Sequence, residues 1–250
     1  MSDTHFKIVT SMYNVEDWIK RTASSIKNQN YTNFQCVFID DASTDRTVEI
    51  LESLVGDDER FAVLKNSDKK YSLGRINQGI EHASPADEDI ILSVDGDDWL
   101  ATKNVLTYLD EFYKKEQCWM TYGSYMEYPT GMKGIEASAY SPEVVQNNTY
   151  RTDRWRASHL RTFKYKLWKN IEKEDLLDWN GNFFKTTIDK AFMYPMLEMA
   201  GPRAKYIDET LYVYNLTNPL NVHKSRRELQ LKTNDYLRGK EAYDRKDILH

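Results

Sequence analysis

The sequence predicts an α/β fold: a mostly parallel central sheet with helices on both faces. Three observations carry that reading. Short apolar, strand-like runs at 6–11, 34–39, 61–64 and 90–94 alternate with stretches of helical periodicity, as in a chain that crosses repeatedly to a parallel neighbour. The 90–94 run is short and nearly uncharged, as a buried strand is. Three of the runs end in polar or acidic clusters, at Ser11, Tyr13 and Asn14, at Asp40 and Asp41, and at Asp95, Asp97 and Asp98. Ligands of such sheets bind outside the carboxyl ends of the strands.

Each element has its own signal. After the first strand, Val15, Trp18, Ile19, Ala23 and Ile26 recur at helical spacing over 15–28. The second strand closes in Asp40-Asp41-Ala42-Ser43-Thr44-Asp45, whose hydroxyls and acids suit the N-cap of a helix over 46–54. A helix over 73–82 precedes the 90–94 strand, another spans 102–113, and Cys118 to Tyr122 reads as a strand ending at Gly123. Residues 128–148, with Pro129, Gly131, Gly134 and Pro142, read as a long loop. Arg151, Arg154, Arg156, His159 and Arg161 form a basic patch, with Trp155 in it, that no periodicity explains. A helix over 188–199 stops at Gly201-Pro202, and strands are expected at 205–207 and 210–214. From Lys224 the chain turns polar, with an amphipathic look over 229–237. That tail reads as a surface helix with a frayed end, or as a linker into a further domain of a larger protein.

Composition narrows the class. A net charge of −5 argues against a nucleic-acid partner, whose binding would rest on a basic face. Two cysteines within apolar runs indicate core thiols and a reducing, cytoplasmic setting. No apolar stretch reaches bilayer length, so any membrane contact is expected to be peripheral.

The acids at 95, 97 and 98 raise the sharpest question, because three carboxylates within four positions repel one another unless a positive charge sits among them. A divalent cation, Mn²⁺ or Mg²⁺, answers that need with one or two carboxylates plus substrate phosphates. The plainer reading is a turn whose acids cap the helix over 102–113.

The residues Val9-Thr-Ser-Met-Tyr13-Asn14, Val37-Phe-Ile-Asp40-Asp41-Ala-Ser43-Thr44-Asp45, Asn77-Gln-Gly79-Ile80 and Val94-Asp95-Gly96-Asp97-Asp98-Trp99, in this order and spacing, resemble the family-2 glycosyltransferases of GT-A fold. The likeness is clear over about the first 125 residues and looser to about 222, implying a glycosyltransferase domain over 1–222. Its nucleotide-binding half would end near 123 and its acceptor half near 222, with 223–250 as the polar tail. In one departure, Ile76 stands where many relatives have Arg, and Arg75 precedes it.

The resemblance implies an inverting, metal-dependent transfer of a hexose from UDP-galactose, UDP-glucose or UDP-N-acetylglucosamine to a glycan hydroxyl. Ser11, Tyr13 and Asp41 would hold the uracil, with Asn14 and Asp40 beside them and Arg75 toward the donor. Asp95, with Gly96 next to it, would meet the ribose or the metal. Asp97 would ligate the metal, and Asp98 would join or brace it. Asp189, at the start of the 188–199 helix, would be the general base; the bland alternative is a carboxylate favoured by the helix dipole. Asp175 and Asp178 are its rivals. His223 occupies the place of a metal or pyrophosphate histidine. His159, Arg161 and Lys164 would face the diphosphate or acceptor, and Trp155, Trp168 and Trp179 are platform candidates for the acceptor. Two other classes remain open: a catalytically silent nucleotide-sugar binding module, and a sugar nucleotidyltransferase. The second normally needs a Gly-rich loop where this chain has Ser11-Met12-Tyr13-Asn14.

Overall fold

The computed structural model describes residues 3–220 and 227–248. Its eight-stranded sheet runs in the order β3-β2-β1-β4-β7-β6-β8-β5. One half is parallel: β1 (Phe6–Met12), β2 (Phe34–Asp40), β3 (Phe61–Leu64) and β4 (Ile90–Ser93) pair in the same sense. The helices α1 (Ile19–Lys27), α2 (Thr47–Val55) and α3 (Tyr71–Ala83) make the crossovers. The other half is mixed. β7 (Arg161–Lys164) is antiparallel to both β4 and β6 (Met120–Tyr128), whereas β6 is parallel to β8 (Ala204–Asn215). A two-residue strand, β5 (Trp99–Leu100), closes the edge against β8. The expected sheet is therefore present, and its second half carries the antiparallel pairings.

Alternation along the strands splits the core into two layers. Val9, Val37, Ile39 and Ile91 face one side, where α3 packs, and α7 (Ile188–Ala200) supplies Phe192, Met196 and Met199 to the same layer. Ile8, Cys36, Phe38, Ile90 and Leu92 face the other, against Ile19, Ala23 and Ile26 of α1 and Val105, Leu106 and Leu109 of α4 (Val105–Glu116). Both cysteines are buried and free, as expected of core thiols, and desolvation pushes the Cys118 thiol up to about 12.

The second half departs from the sequence reading at three places. β6 does not end at Gly123. A Cβ at that position would lie 2.8 Å from the Ile207 carbonyl oxygen, so glycine permits a close approach where the β6–β8 register shifts. The two strands expected at 205–207 and 210–214 are one, because exposed Asp208 and Glu209 are the extra residues of that bulge. The 128–148 segment is not wholly loop: Ser141 caps the short helix α5 (Pro142–Asn147), its hydroxyl accepting from the Val144 N–H.

The tail is not frayed. Helix α8 (Arg227–Gly239) buries Thr233 and Leu237, and the chain beyond it is pinned to the body. Tyr243 donates from its N–H to Glu198 and from its hydroxyl to Asp175, and the Lys246 N–H reaches the Met199 carbonyl. Burial raises the Glu198 carboxyl, and the paired Arg151 guanidinium opposes that rise. Among the described residues no helix is long and apolar enough to cross a membrane.

Candidate active site

The strand-end clusters converge because β1, β2 and β4 are parallel neighbours. Gly96 donates its N–H to the Ser11 carbonyl at 3.0 Å, tying the acidic turn to the end of β1. A Cβ there would stand 2.7 Å from that of Met12, so the approach requires glycine.

The first pair of acids is bound into the fold, and Asp41 meets a charge there. Asp40 accepts from the Ser43 N–H. Asp41 accepts from the N–H groups of Lys70 and Tyr71, at 2.7 and 3.1 Å, and from Arg75 Nε at 2.7 Å. It thus caps α3 and pairs with a guanidinium that is itself fully buried. Arg75 also reaches Gln78 and the Asp68 carbonyl, so it stands behind Asp41 instead of facing the open site. Asn14, at φ 50°, bonds Ser43 and Thr44 and fastens the β1 loop to the β2 loop. Tyr13 is half-buried, with Lys69 Nζ 3.1 Å above its ring centre.

In the second set, Asp97 and Asp98 meet no cation among the described residues, and β8 with the residues just after it supplies their side-chain hydrogen bonds. Asp98 is buried, accepting the Tyr212 hydroxyl and the Asn215 N–H at 2.8 Å each. Asp97 accepts from Asn218 Nδ2 at 2.7 Å. Burial and the Asp95 charge push the Asp97 carboxyl up to about 6, and burial together with both neighbours raises Asp98 well above its ordinary range. Asp95 differs: burial raises it, but His159 and Arg161 outweigh burial and hold it low.

Arg161 opens β7 and His159 lies just before it. The pairing Ser93↔Arg161 sets the antiparallel register, and two residues further on it brings His159 opposite Asp95, with Nε2 3.6 Å from the carboxylate. The imidazole stacks on Tyr212 at 4.7 Å and on Tyr214 at 5.4 Å, with Tyr125 edge-on. Burial and Arg161 lower its proton affinity, against the pull of Asp95. Ligand atoms of Asp95, Asp98 and His159 lie within 4.8 Å of one another. Two carboxylates and a neutral imidazole, next to acids whose charge is unmet, suit a divalent cation.

Arg161 leads on to Asp189. Its guanidinium is buried and lies 3.6 Å from the Asp189 carboxylate, and its Nε has no hydrogen-bond partner among the described residues. Asp189 sits in the first turn of α7, preceded by Thr187 in the left-handed region at φ 54°. That conformation is uncommon for a β-branched residue.

The remaining candidates fall elsewhere. Asp175 is bound to Lys240 and Tyr243, and Asp178 organises its own turn. Lys164 pairs with Glu88, and Trp168 is a core residue stacked on Phe163. Trp155 packs against Tyr194. Trp179 is exposed and lines a cavity that includes Asp178 but none of Asp95, Asp97, Asp98 and Asp189. His223 lies outside the described residues. Sequence reasoning missed Asn218, Tyr212 and Tyr214; the one signal was a strand-like run that contains both tyrosines and shortly precedes Asn218.

A sheet of this order, with an acidic turn at the seam between its parallel and mixed halves, is the architecture of the GT-A glycosyltransferases. The Glycosyl transferase family 2 model matches residues 7–175, so the chain belongs to that family and is a glycosyltransferase. It is 25% identical over 239 residues to the putative glycosyltransferase EpsE of Bacillus subtilis, covering 92% of this chain and 84% of that one. It is 22% identical to glycosyltransferase GlyA of Streptococcus pneumoniae over 86% of its own length but only 31% of GlyA. Among solved structures, S. aureus TarS superposes with a TM-score of 0.65 at 16% identity, over 86% of this chain and 37% of TarS. A second TarS structure holds UDP-GlcNAc, with a TM-score of 0.60 over 86% and 59%. The mannosyltransferase PcManGT of Pyrobaculum calidifontis, in complex with GDP-Man and Mn²⁺, gives 0.64 at 16% identity over 97% and 67%. These likenesses to solved structures establish the fold.

Proposed function

We propose that this glycosyltransferase is inverting and metal-dependent, moving a hexose from a UDP-sugar to a hydroxyl of a glycan acceptor. The observation that carries the reading is the line Asp95, His159, Arg161, Asp189. Antiparallel β7 spans from the acidic turn to the carboxylate at the head of α7, so a donor-side and an acceptor-side group share one site. TarS, of similar fold, holds UDP-GlcNAc, which supports a uridine donor.

Asp95, Asp97, Asp98 and His159 are the residues that would hold Mn²⁺ or Mg²⁺. When bound, such a cation stabilises the charge that develops on the leaving diphosphate. Asp189 accepts the proton of the acceptor hydroxyl. The acceptor oxygen bonds to C1 as the C1–O bond to UDP breaks on the opposite face, which inverts the anomeric centre with no covalent enzyme intermediate. Arg161 keeps Asp189 oriented. Tyr212 and Tyr214 hold the His159 ring at a fixed angle to Asp95.

The test is UDP release from a panel of nucleotide sugars with Mn²⁺, Mg²⁺ or chelator, followed by NMR of the product anomer. One UDP-sugar should give metal-dependent release and an inverted product, and Asp189→Asn should remove transfer while leaving UDP binding intact. Retention of configuration, or full transfer by Asp189→Asn, would refute the mechanism.

A further inference from the structure

The turn Asp178-Trp179-Asn180-Gly181-Asn182 displays a large aromatic ring outside both core layers. Trp179 is 37% exposed. The turn itself is well fixed. Asp178 accepts from the N–H groups of Asn180 and Asn182, at 2.8 and 3.1 Å, and Gly181 takes φ 75°. Held this way, the ring forms one wall of a cavity whose opposite wall is α8, through Leu229 and Thr233. Asn180 and Lys185 line the same space, and Tyr236 meets the ring edge-on at 5.7 Å. Lys232 Nζ lies 4.0 Å over the indole, on its electron-rich face.

We propose that this cavity is a second sugar subsite, taking a hexose unit of an oligosaccharide acceptor other than the one that reacts. The inference rests on the reading of a glycan acceptor. A pyranose presents a face of C–H groups to an aromatic ring and hydroxyls around its rim. The ring face now under Lys232 receives the C–H groups, and the displaced ammonium, Lys185 and the Asn180 amide donate to hydroxyls. Asp178, the carboxylate in the lining, is already committed to its turn.

Position supports the assignment. Ten residues after Trp179 the chain reaches Asp189, and Thr186 and Thr187 fasten that stretch to α8 through Thr233 and the Gln230 carbonyl. Lys185 Nζ lies 5.0 Å over Tyr71, at the start of the helix that Asp41 caps. The cavity is therefore linked through Lys185 to the start of α3 and through Thr186 and Thr187 to the stretch that leads to Asp189. α8, which the sequence reading left as a polar tail, becomes a wall of the acceptor site.

The experiment measures binding of gluco-, galacto- and N-acetylglucosamine β-linked oligosaccharides of one to four units to the full chain, by saturation-transfer NMR. At least one tetrasaccharide should bind about ten-fold more tightly than its monosaccharide. Trp179→Ala should erase that gain, and Trp179→Phe should retain most of it. Affinity independent of length, an undiminished gain in Trp179→Ala, or no binding by any member would overturn the subsite. UDP binding with Mn²⁺ and UDP release from donor sugars are read on the same three proteins. Their failure beside intact length dependence would overturn the donor chemistry alone; their persistence without length dependence would overturn the subsite alone.

Discussion

Asp40 and Asp41 end β2, and Asp95, Asp97 and Asp98 follow β4, the second strand to one side of it; the two groups look alike as text and differ in partners. Asp41 takes two backbone N–H groups and Arg75 within 3.1 Å. In the β4 turn, the partners of Asp97 and Asp98 among the described residues are neutral: an amide, a phenol and a backbone N–H. Their carboxyls are pushed up as a result. Acids at a strand end are thus of two kinds. One kind is spent on the fold. The other carries charge that no cation among the described residues meets, and it is there that the proposed cation and diphosphate would bind.

Substitution should separate the two kinds. The largest effect is expected for Asp97→Asn, with turnover falling about 10³-fold. The fold should be unaffected, since among the described residues no cation depends on this carboxylate, and Tm by circular dichroism should stay within about 2 °C. Comparable losses of Tm and activity would remove the distinction. Asp41→Ala should do the reverse. It strands the buried Arg75 guanidinium and uncaps α3, at a cost of about 3–5 kcal/mol, or roughly 10 °C in Tm. If Asp41→Ala instead kept its Tm and lost only UDP affinity, Asp41 would belong with the functional acids.

Asn218→Ala is expected to act more gently. It removes a single donor from Asp97, so metal affinity should weaken about 10–100-fold with little change in turnover at saturating Mn²⁺. A Mn²⁺ titration of UDP release checks this, and an unchanged midpoint would exclude Asn218 from the metal's surroundings.

The parallel half was legible because its strands are short apolar runs and its helices keep a 3.6-residue period. β3 is where the pattern places it, and the three strand ends named the site's neighbourhood. What the pattern could not supply was pairing. β7 is four residues, Arg-Thr-Phe-Lys, with no alternation long enough to recognise, yet its register puts His159 opposite Asp95. Asn218 and Tyr212 are more than a hundred residues from the acids they touch. Arg75 was legible as a cation but not as the partner of Asp41, a contact across 34 positions.

Asp175 offers the finest division between the two kinds of acid. It was a rival for the general base, and it is spent on the tail: Lys240 and the Tyr243 hydroxyl hold it at 2.5 Å. Burial raises its carboxyl, but those two groups and Arg151 outweigh burial and leave it below the ordinary range. A depressed folded-state value means stability that is present above the unfolded value of about 3.9 and lost as pH falls through the folded one. Glu198, across the same junction, is raised and has the opposite sign, so the wild-type curve alone blends the two. The difference between wild type and Asp175→Asn isolates Asp175. At pH 7 the variant should be less stable by about 1 kcal/mol, the worth of a partly exposed pair. The deficit should shrink as pH falls below about 3.9 and vanish once pH passes below the folded value. Tm measured from pH 7 down through that range decides it. A deficit that stays constant as pH falls would mean packing is lost and not charge, whereas a loss of transfer with no deficit at all would return Asp175 to the candidates for the base.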